Sequence, residues 1–265
     1  MQRAGMRPIA QAPGSVRPPA ATVPEASSAD TIATAAPVGA AIARDTVLDP
    51  TIDPIVVDEF RKLASAVYQA QLAQDIKVVM VASSTPEEGK SMTALNLALT
   101  LASSHNRQVL LIDADLRAPS IAAMLDVPSS PGLSDLLSGS SGAPWPLYQA
   151  APSLAVLTAG KGSRDPLSRI SSVRMKEILI KARERFDAVI IDTPPIGPFP
   201  DAALLGDMSD AILLVIAAGT TPYKIAQRAV EIIGEEKILG IVLNRVAWPA
   251  LSENYGHYGR YQHSG

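Results

Sequence analysis

The 265-residue sequence contains no cysteine. Disulfide staples, thiol nucleophiles and thiolate metal centres are therefore excluded, and the composition suits a reducing compartment. Aromatic residues make up 4% of the chain against 47% hydrophobic residues overall, so the core has to be built from aliphatic side chains, as in layered α/β packing. The three histidines, His105, His257 and His263, lack the spacing of metal ligands. No block of Lys or Arg occurs and the formal net charge is −3, which leaves no general electrostatic attraction for nucleic acid. No apolar run reaches the roughly 18 residues of a spanning helix; the longest candidate, 211–218, has the length of a strand. Arg3 and Arg7 are not followed by an apolar stretch, so neither a secretory leader nor direct membrane insertion is expected.

What is present divides the chain into three parts. Residues 1–52, rich in Ala, Pro, Ser and Thr and without an aromatic residue, read as a disordered arm that buries too little surface to offset its ordering entropy. Order is expected from Asp53, an N-cap followed by Pro54, with Val56, Phe60, Leu63 and Val67 at helical spacing to about Gln74. Strands at 77–82, 108–113, 154–157, 187–192, 210–217 and 238–243 then alternate with helical stretches at 92–103, 120–125, 133–137, 165–185, 201–205 and 221–236. Nearly all-apolar strands alternating with helices predict a three-layer, doubly wound, mostly parallel sheet over residues 53–250. Residues 251–265 form a short Gly- and Tyr-containing tail expected to be flexible.

The stretch 83–91, SSTPEEGKS, lies between the first strand and a helix. Gly89-Lys90-Ser91 at a helix start is how phosphates are held: backbone N–H groups face the anion, Lys supplies a point charge and the hydroxyl can ligate Mg²⁺. Ser84 stands where the usual pattern has its first Gly, so the loop alone is also compatible with a simple strand-to-helix turn. Two later strands end in acid, one at Asp113 and Asp115, the other at Asp192. Ligands of open parallel sheets bind outside the carboxyl ends of the strands, so these carboxylates are expected beside the loop. There Asp113 or Asp192 would hold Mg²⁺ through water while Ser91 ligates it, and Asp115 would accept a proton from the attacking hydroxyl or water.

IDADLR and IIDTPP downstream of SSTPEEGKS, with LRAPS, PGLSDLLSG and VLNR, resemble the motif set of the bacterial tyrosine kinases, the capsule and exopolysaccharide autokinases, across roughly residues 58–246. The resemblance implies a MinD-like P-loop NTPase fold that binds ATP and Mg²⁺, with Lys90, Asp113, Asp115 and Asp192 catalytic and Ser91, Asp113 and Asp192 serving the metal. It implies nucleotide contacts from Ser84, Thr85, Glu88, Gly89, Lys90, Ser91 and Met92, and from Asn244 and Arg245, with Asn244 near the adenine. Tyr255, Tyr258 and Tyr261, half of the six tyrosines, are the implied autophosphorylation sites. A membrane-anchored polysaccharide co-polymerase, the chain-length regulator, is the implied activating partner of a cytoplasmic protein held peripherally at the inner membrane.

Two departures qualify the likeness, and a third position separates the chain from a neighbouring branch. Glu87 replaces a Gly of the usual PGEGK loop, where a positive φ would strain it and its charge would lie near the phosphates. The self-association pattern ExxRxxR is matched by Asp58, Arg61 and Ala64, so a homo-oligomer, ring-like in the family, is implied on a weakened motif. Thr85 stands where partitioning and septum-positioning ATPases carry a signature Lys, which disfavours that branch. An ATP-binding switch or assembly subunit with little kinase activity remains the alternative reading.

Overall fold

The computed structural model describes residues 36–37, 46–139, 144–197 and 199–247. Its strands are β1 (Ala36–Pro37), β2 (Val78–Ser83), β3 (Val109–Asp113), β4 (Tyr148–Ala151), β5 (Leu154–Leu157), β6 (Ala188–Asp192), β7 (Ala211–Ala217) and β8 (Ile238–Asn244). They form one sheet in the order β1-β4-β5-β3-β6-β2-β7-β8. From β5 to β8 every neighbouring pair is parallel; β4 runs antiparallel to β5 at one side.

Helices cover both faces, and the strand pleat decides which residue meets which layer. In β2, Val79 and Val81 point into one apolar cluster while Val78, Met80 and Ala82 point into the other. The first cluster is closed by α1 (Pro54–Gln74), α2 (Lys90–Ser104) and α3 (Ile121–Met124), through residues such as Val67, Leu97 and Ile121. The second is closed by α4 (Leu133–Ser138), α5 (Pro166–Ile170), α6 (Val173–Arg185), α7 (Asp201–Met208) and α8 (Tyr223–Ile233), through residues such as Leu133, Ile178, Leu205 and Ile233. Each fully buried Val, Leu or Ile contributes about 1.5–3 kcal/mol relative to exposure, which is why the double-sided strands dominate stability.

Local chemistry starts and stops these elements as expected. The Asp53 carboxylate accepts from the Ile55 N–H at 2.8 Å, Pro54 occupies the first turn of α1, and Asp75 ends it in the left-handed region at φ 52°. The helical region expected at 165–185, a break within it included, divides into α5 and α6, each with its own cap: Asp165 accepts from Ser168 N–H, and Ser172 from Met175 N–H.

Three features differ from the sequence reading. The packed chain begins before Asp53: Thr46 is 1% exposed and Val47 N–H donates to Asn96 Oδ1 of α2 at 2.7 Å. Strand β4 has no period-2 pattern and is formed by pairing with β5. Ala64, the third position of the self-association pattern, is fully buried among core residues, whereas Asp58 and Arg61 pair with each other at 2.9 Å on the exposed face. The helix periodicity turns Ala64 inward, where an arginine has no room to reach a neighbouring subunit.

Candidate functional site

Strand β2 lies between β6 and β7, and the chain leaves it through the loop 84–89 into α2. Helix α2 starts at Lys90, two residues earlier than its apolar pattern, so Lys90, Ser91 and Met92 form the first turn with their backbone N–H groups at the helix mouth. Gly89 is the N-cap at φ 88°. The backbone conformation favours glycine here, and a Cβ added to it would lie 2.0 Å from Asn244 Nδ2, so the Asn244 side chain of β8 would have to shift. Glu87 adopts φ 64°, the strained conformation anticipated from its replacement of a glycine.

The acidic strand ends meet this helix start. Asp113 and Asp192 are register partners on adjacent parallel strands, so their side chains leave the sheet together. Lys90 Nζ donates to Asp192 Oδ1 at 2.7 Å, approaches Asp115 Oδ2 at 3.8 Å and donates to Ser91 Oγ at 3.1 Å. All three acids are buried, with Asp113 and Asp192 fully so. Asp113 uses both oxygens, Oδ1 accepting from Asp115 N–H and Oδ2 from Ile121 N–H. In Asp115, Oδ1 accepts from the N–H groups of Arg117 and Ala118, which leaves Oδ2 as the atom turned to Lys90.

Burial, followed by the neighbouring Asp192 charge, pushes Asp113 up to about 8. Burial also raises Asp192, against the pull of the Lys90 ammonium. Asp192 Oδ2 is buried without a hydrogen-bond partner, as is Ser84 Oγ. An unsatisfied buried carboxylate oxygen is costly, and a cationic or hydrogen-bonding ligand arriving there would relieve it. Among the described residues no group of three His, Cys, Asp or Glu is arranged to hold a metal by protein ligands alone.

The other expected nucleotide contacts divide. Ser84, Thr85, Gly89, Lys90, Ser91 and Met92 lie in the loop and first turn, and Asn244 reaches the same loop, its Nδ2 donating to Glu88 O at 2.9 Å. Arg245 follows β8 in the left-handed region at φ 58°. The Glu88 side chain is turned inward: its carboxylate accepts from Thr85 N–H at 2.8 Å and from the Thr221 hydroxyl. Tyr255, Tyr258 and Tyr261 lie outside the described residues.

Sequence reasoning missed a clasp behind the acidic motif. Arg117 Nε donates to Asp201 Oδ2 at 2.6 Å and Nη2 to Oδ1 at 3.3 Å, and its guanidinium sits 4.2 Å from the Phe199 ring centroid. Asp201, 1% exposed, opens α7 and so ties that helix to the loop bearing Asp115. The Asp-Pro-free sequence around Asp201 carried no signal beyond a helix start; only Arg117, embedded in an otherwise acidic motif, hinted at a partner.

Phosphate-loop geometry at a switch point of a parallel sheet, with a lysine and three acids converging on a helix start, defines a nucleotide-binding protein. The family model of the CobQ/CobB/MinD/ParA nucleotide binding domain matches residues 79–256. The chain is 36% identical over 209 residues to the tyrosine-protein kinase YwqD of Bacillus subtilis (strain 168), covering 76% of this chain and 86% of that protein. It is 32% identical over 242 residues to the succinoglycan biosynthesis transport protein ExoP of Rhizobium meliloti (strain 1021), covering 82% of this chain but 30% of that larger protein. Among solved structures, the VpsO kinase domain superposes with a TM-score of 0.63 at 33% identity, over 73% of this chain and 98% of that one. The chain belongs to the CobQ/CobB/MinD/ParA nucleotide-binding family and, within it, to the bacterial tyrosine-protein kinases.

Proposed function

We propose that this kinase transfers the γ-phosphoryl group of ATP to Tyr255, Tyr258 and Tyr261 of its own tail, between neighbouring copies, and thereby regulates polysaccharide polymerisation and export. The observation that carries the reading is the meeting of Lys90, Asp115 and Asp192 at the first turn of α2. The loop amides and the start of α2 receive the phosphates, and Lys90 exchanges Asp192 for phosphate oxygens. Asn244 and Arg245, at the end of β8, flank the adenine side.

Magnesium fits the donor set: Ser91 offers a hydroxyl, Asp192 an unpartnered oxygen, and Asp113 a neighbouring carboxylate, all hard ligands, with waters and phosphate completing the shell. Ser91 would hold the ion directly, Asp113 and Asp192 through water. When bound, the ion neutralises charge on the phosphate oxygens. Asp115 Oδ2 takes the phenolic proton as the tyrosine oxygen bonds to the γ-phosphorus and the bond to the departing ADP oxygen breaks. Each phosphate adds about −1.5 to −2 charge to the tail, enough to separate neighbouring subunits or alter partner docking.

In this reading residues 53–250, with Thr46 and Val47 packed against them, form the kinase domain, the residues before 46 an arm and 251–265 the substrate tail. No described helix is long and apolar enough to cross a membrane. The protein acts in the cytoplasm, brought to the inner membrane by a membrane-anchored co-polymerase; the name of ExoP, a biosynthesis transport protein, supports that polysaccharide context. A second reading, an ATP-dependent scaffold with little kinase activity, is favoured by the strained Glu87 and by the inward Ala64.

Intact mass after incubation with Mg-ATP separates the two. Wild type, Lys90→Met and a chain ending at Ser252 are compared with and without the partner's cytoplasmic segment. Phosphate additions absent from both variants are expected; no additions under any condition, with nucleotide still bound, would leave the scaffold.

A further inference from the structure

We propose that Glu88 and Thr221 are positioning residues that hold the phosphate loop in its binding conformation from outside the nucleotide contact surface. Glu88 is 2% exposed, and its carboxylate is occupied by partners within the protein. Oε2 accepts from Thr85 N–H at 2.8 Å, inside the loop, while Oε1 accepts from the Thr221 hydroxyl and, at 3.4 Å, from Ala217 N–H. One side chain thus ties the start of the loop to the end of β7 and the residue before the Pro222 cap of α8. The backbone of the same residue is tied to β8, since Glu88 O accepts from Asn244 Nδ2 at 2.9 Å.

The loop needs such a brace. Two of its residues hold positive φ, Glu87 at 64° and Gly89 at 88°, and Glu87 pays a steric penalty for it. The phosphate-binding N–H groups therefore point at the ligand only if something outside the loop keeps the backbone from relaxing. Both ends of the connection β7–α8–β8 close on Glu88, Thr221 at its beginning and Asn244 at its end. Thr221 itself belongs to no nucleotide motif, and its hydroxyl is committed to the carboxylate.

The chemistry of the pair sets the order of variants. Thr221→Ser keeps the donor; Thr221→Val keeps the shape and removes it. Glu88→Gln can still accept from Thr85 N–H and donate to the Thr221 oxygen, whereas Glu88→Ala releases both ties.

The test measures dissociation of a fluorescent N-methylanthraniloyl ATP analogue, KM for ATP and kcat for phosphotyrosine formation, and nucleotide-free melting temperature on the full chain. Thr221→Val is expected to weaken analogue binding and raise KM about tenfold, with kcat changed much less, tenfold being ~1.4 kcal/mol. Thr221→Ser should return both to within about twofold, Glu88→Ala should exceed Thr221→Val, and Glu88→Gln should fall between wild type and Glu88→Ala. The neighbouring Thr220→Val serves as the control. Normal analogue affinity in Thr221→Val overturns the proposal, whether or not the melting temperature falls. Failure of Thr221→Ser to rescue overturns it as well. Because analogue binding is read directly, the outcome does not depend on whether the tail is the phosphate acceptor.

Discussion

Replacing Gly89 by Ala tests the central packing of the site quantitatively. Two costs follow from the geometry. The alanine must hold φ near 88°, which costs about 1–2 kcal/mol. Its Cβ would also sit 2.0 Å from Asn244 Nδ2, so Asn244 must move and give up its bond to Glu88 O, worth about 0.5–1.5 kcal/mol. The lower entropy of the unfolded alanine chain offsets less than ~1 kcal/mol. The net loss is about 1–3 kcal/mol, or roughly 2–12 °C in melting temperature for a domain of this size. The two costs separate in a double-mutant cycle with Asn244→Ala. In that background only the backbone term remains, so the pair should show a coupling of about 1 kcal/mol in denaturant titrations. Equal cost of Gly89→Ala in both backgrounds would refute the claim that β8 closes on the loop.

Glu87→Gly should relieve the strained φ of 64° and remove a charge beside the phosphates, tightening ATP binding in a calorimetric titration; unchanged or weaker affinity rejects this. Asp113, raised to about 8, keeps a proton in the native state that the unfolded chain releases near pH 4. The metal- and nucleotide-free protein should therefore lose stability as pH rises through that interval, and Asp113→Asn should flatten the slope of melting temperature between pH 5 and 8. Arg117→Ala strands the buried Asp201 carboxylate and should cost about 2 kcal/mol or more, with Asp201→Asn milder; equal stability of Arg117→Ala and wild type by urea denaturation would show the clasp to be dispensable.

Much of this protein was legible along the chain because its signals are local. Apolar runs such as 78–82 can be buried only on both faces of a sheet, and Asp53-Pro54 starts a helix whatever surrounds it. Gly89-Lys90-Ser91 and the acids ending β3 and β6 announced phosphate chemistry, since a strand's carboxyl end is where its last side chain meets a ligand. Tertiary structure alone decided which side of each element those residues face. It set Asp113 beside Asp192 through strand register, turned Ala64 into the core, and spent Glu88 on Thr221, 133 residues away. It also formed β4, whose sequence has no strand pattern, by pairing it to β5. These outcomes depend on contacts between distant segments, and the periodicity of one segment carries no record of what the other segment brings to it.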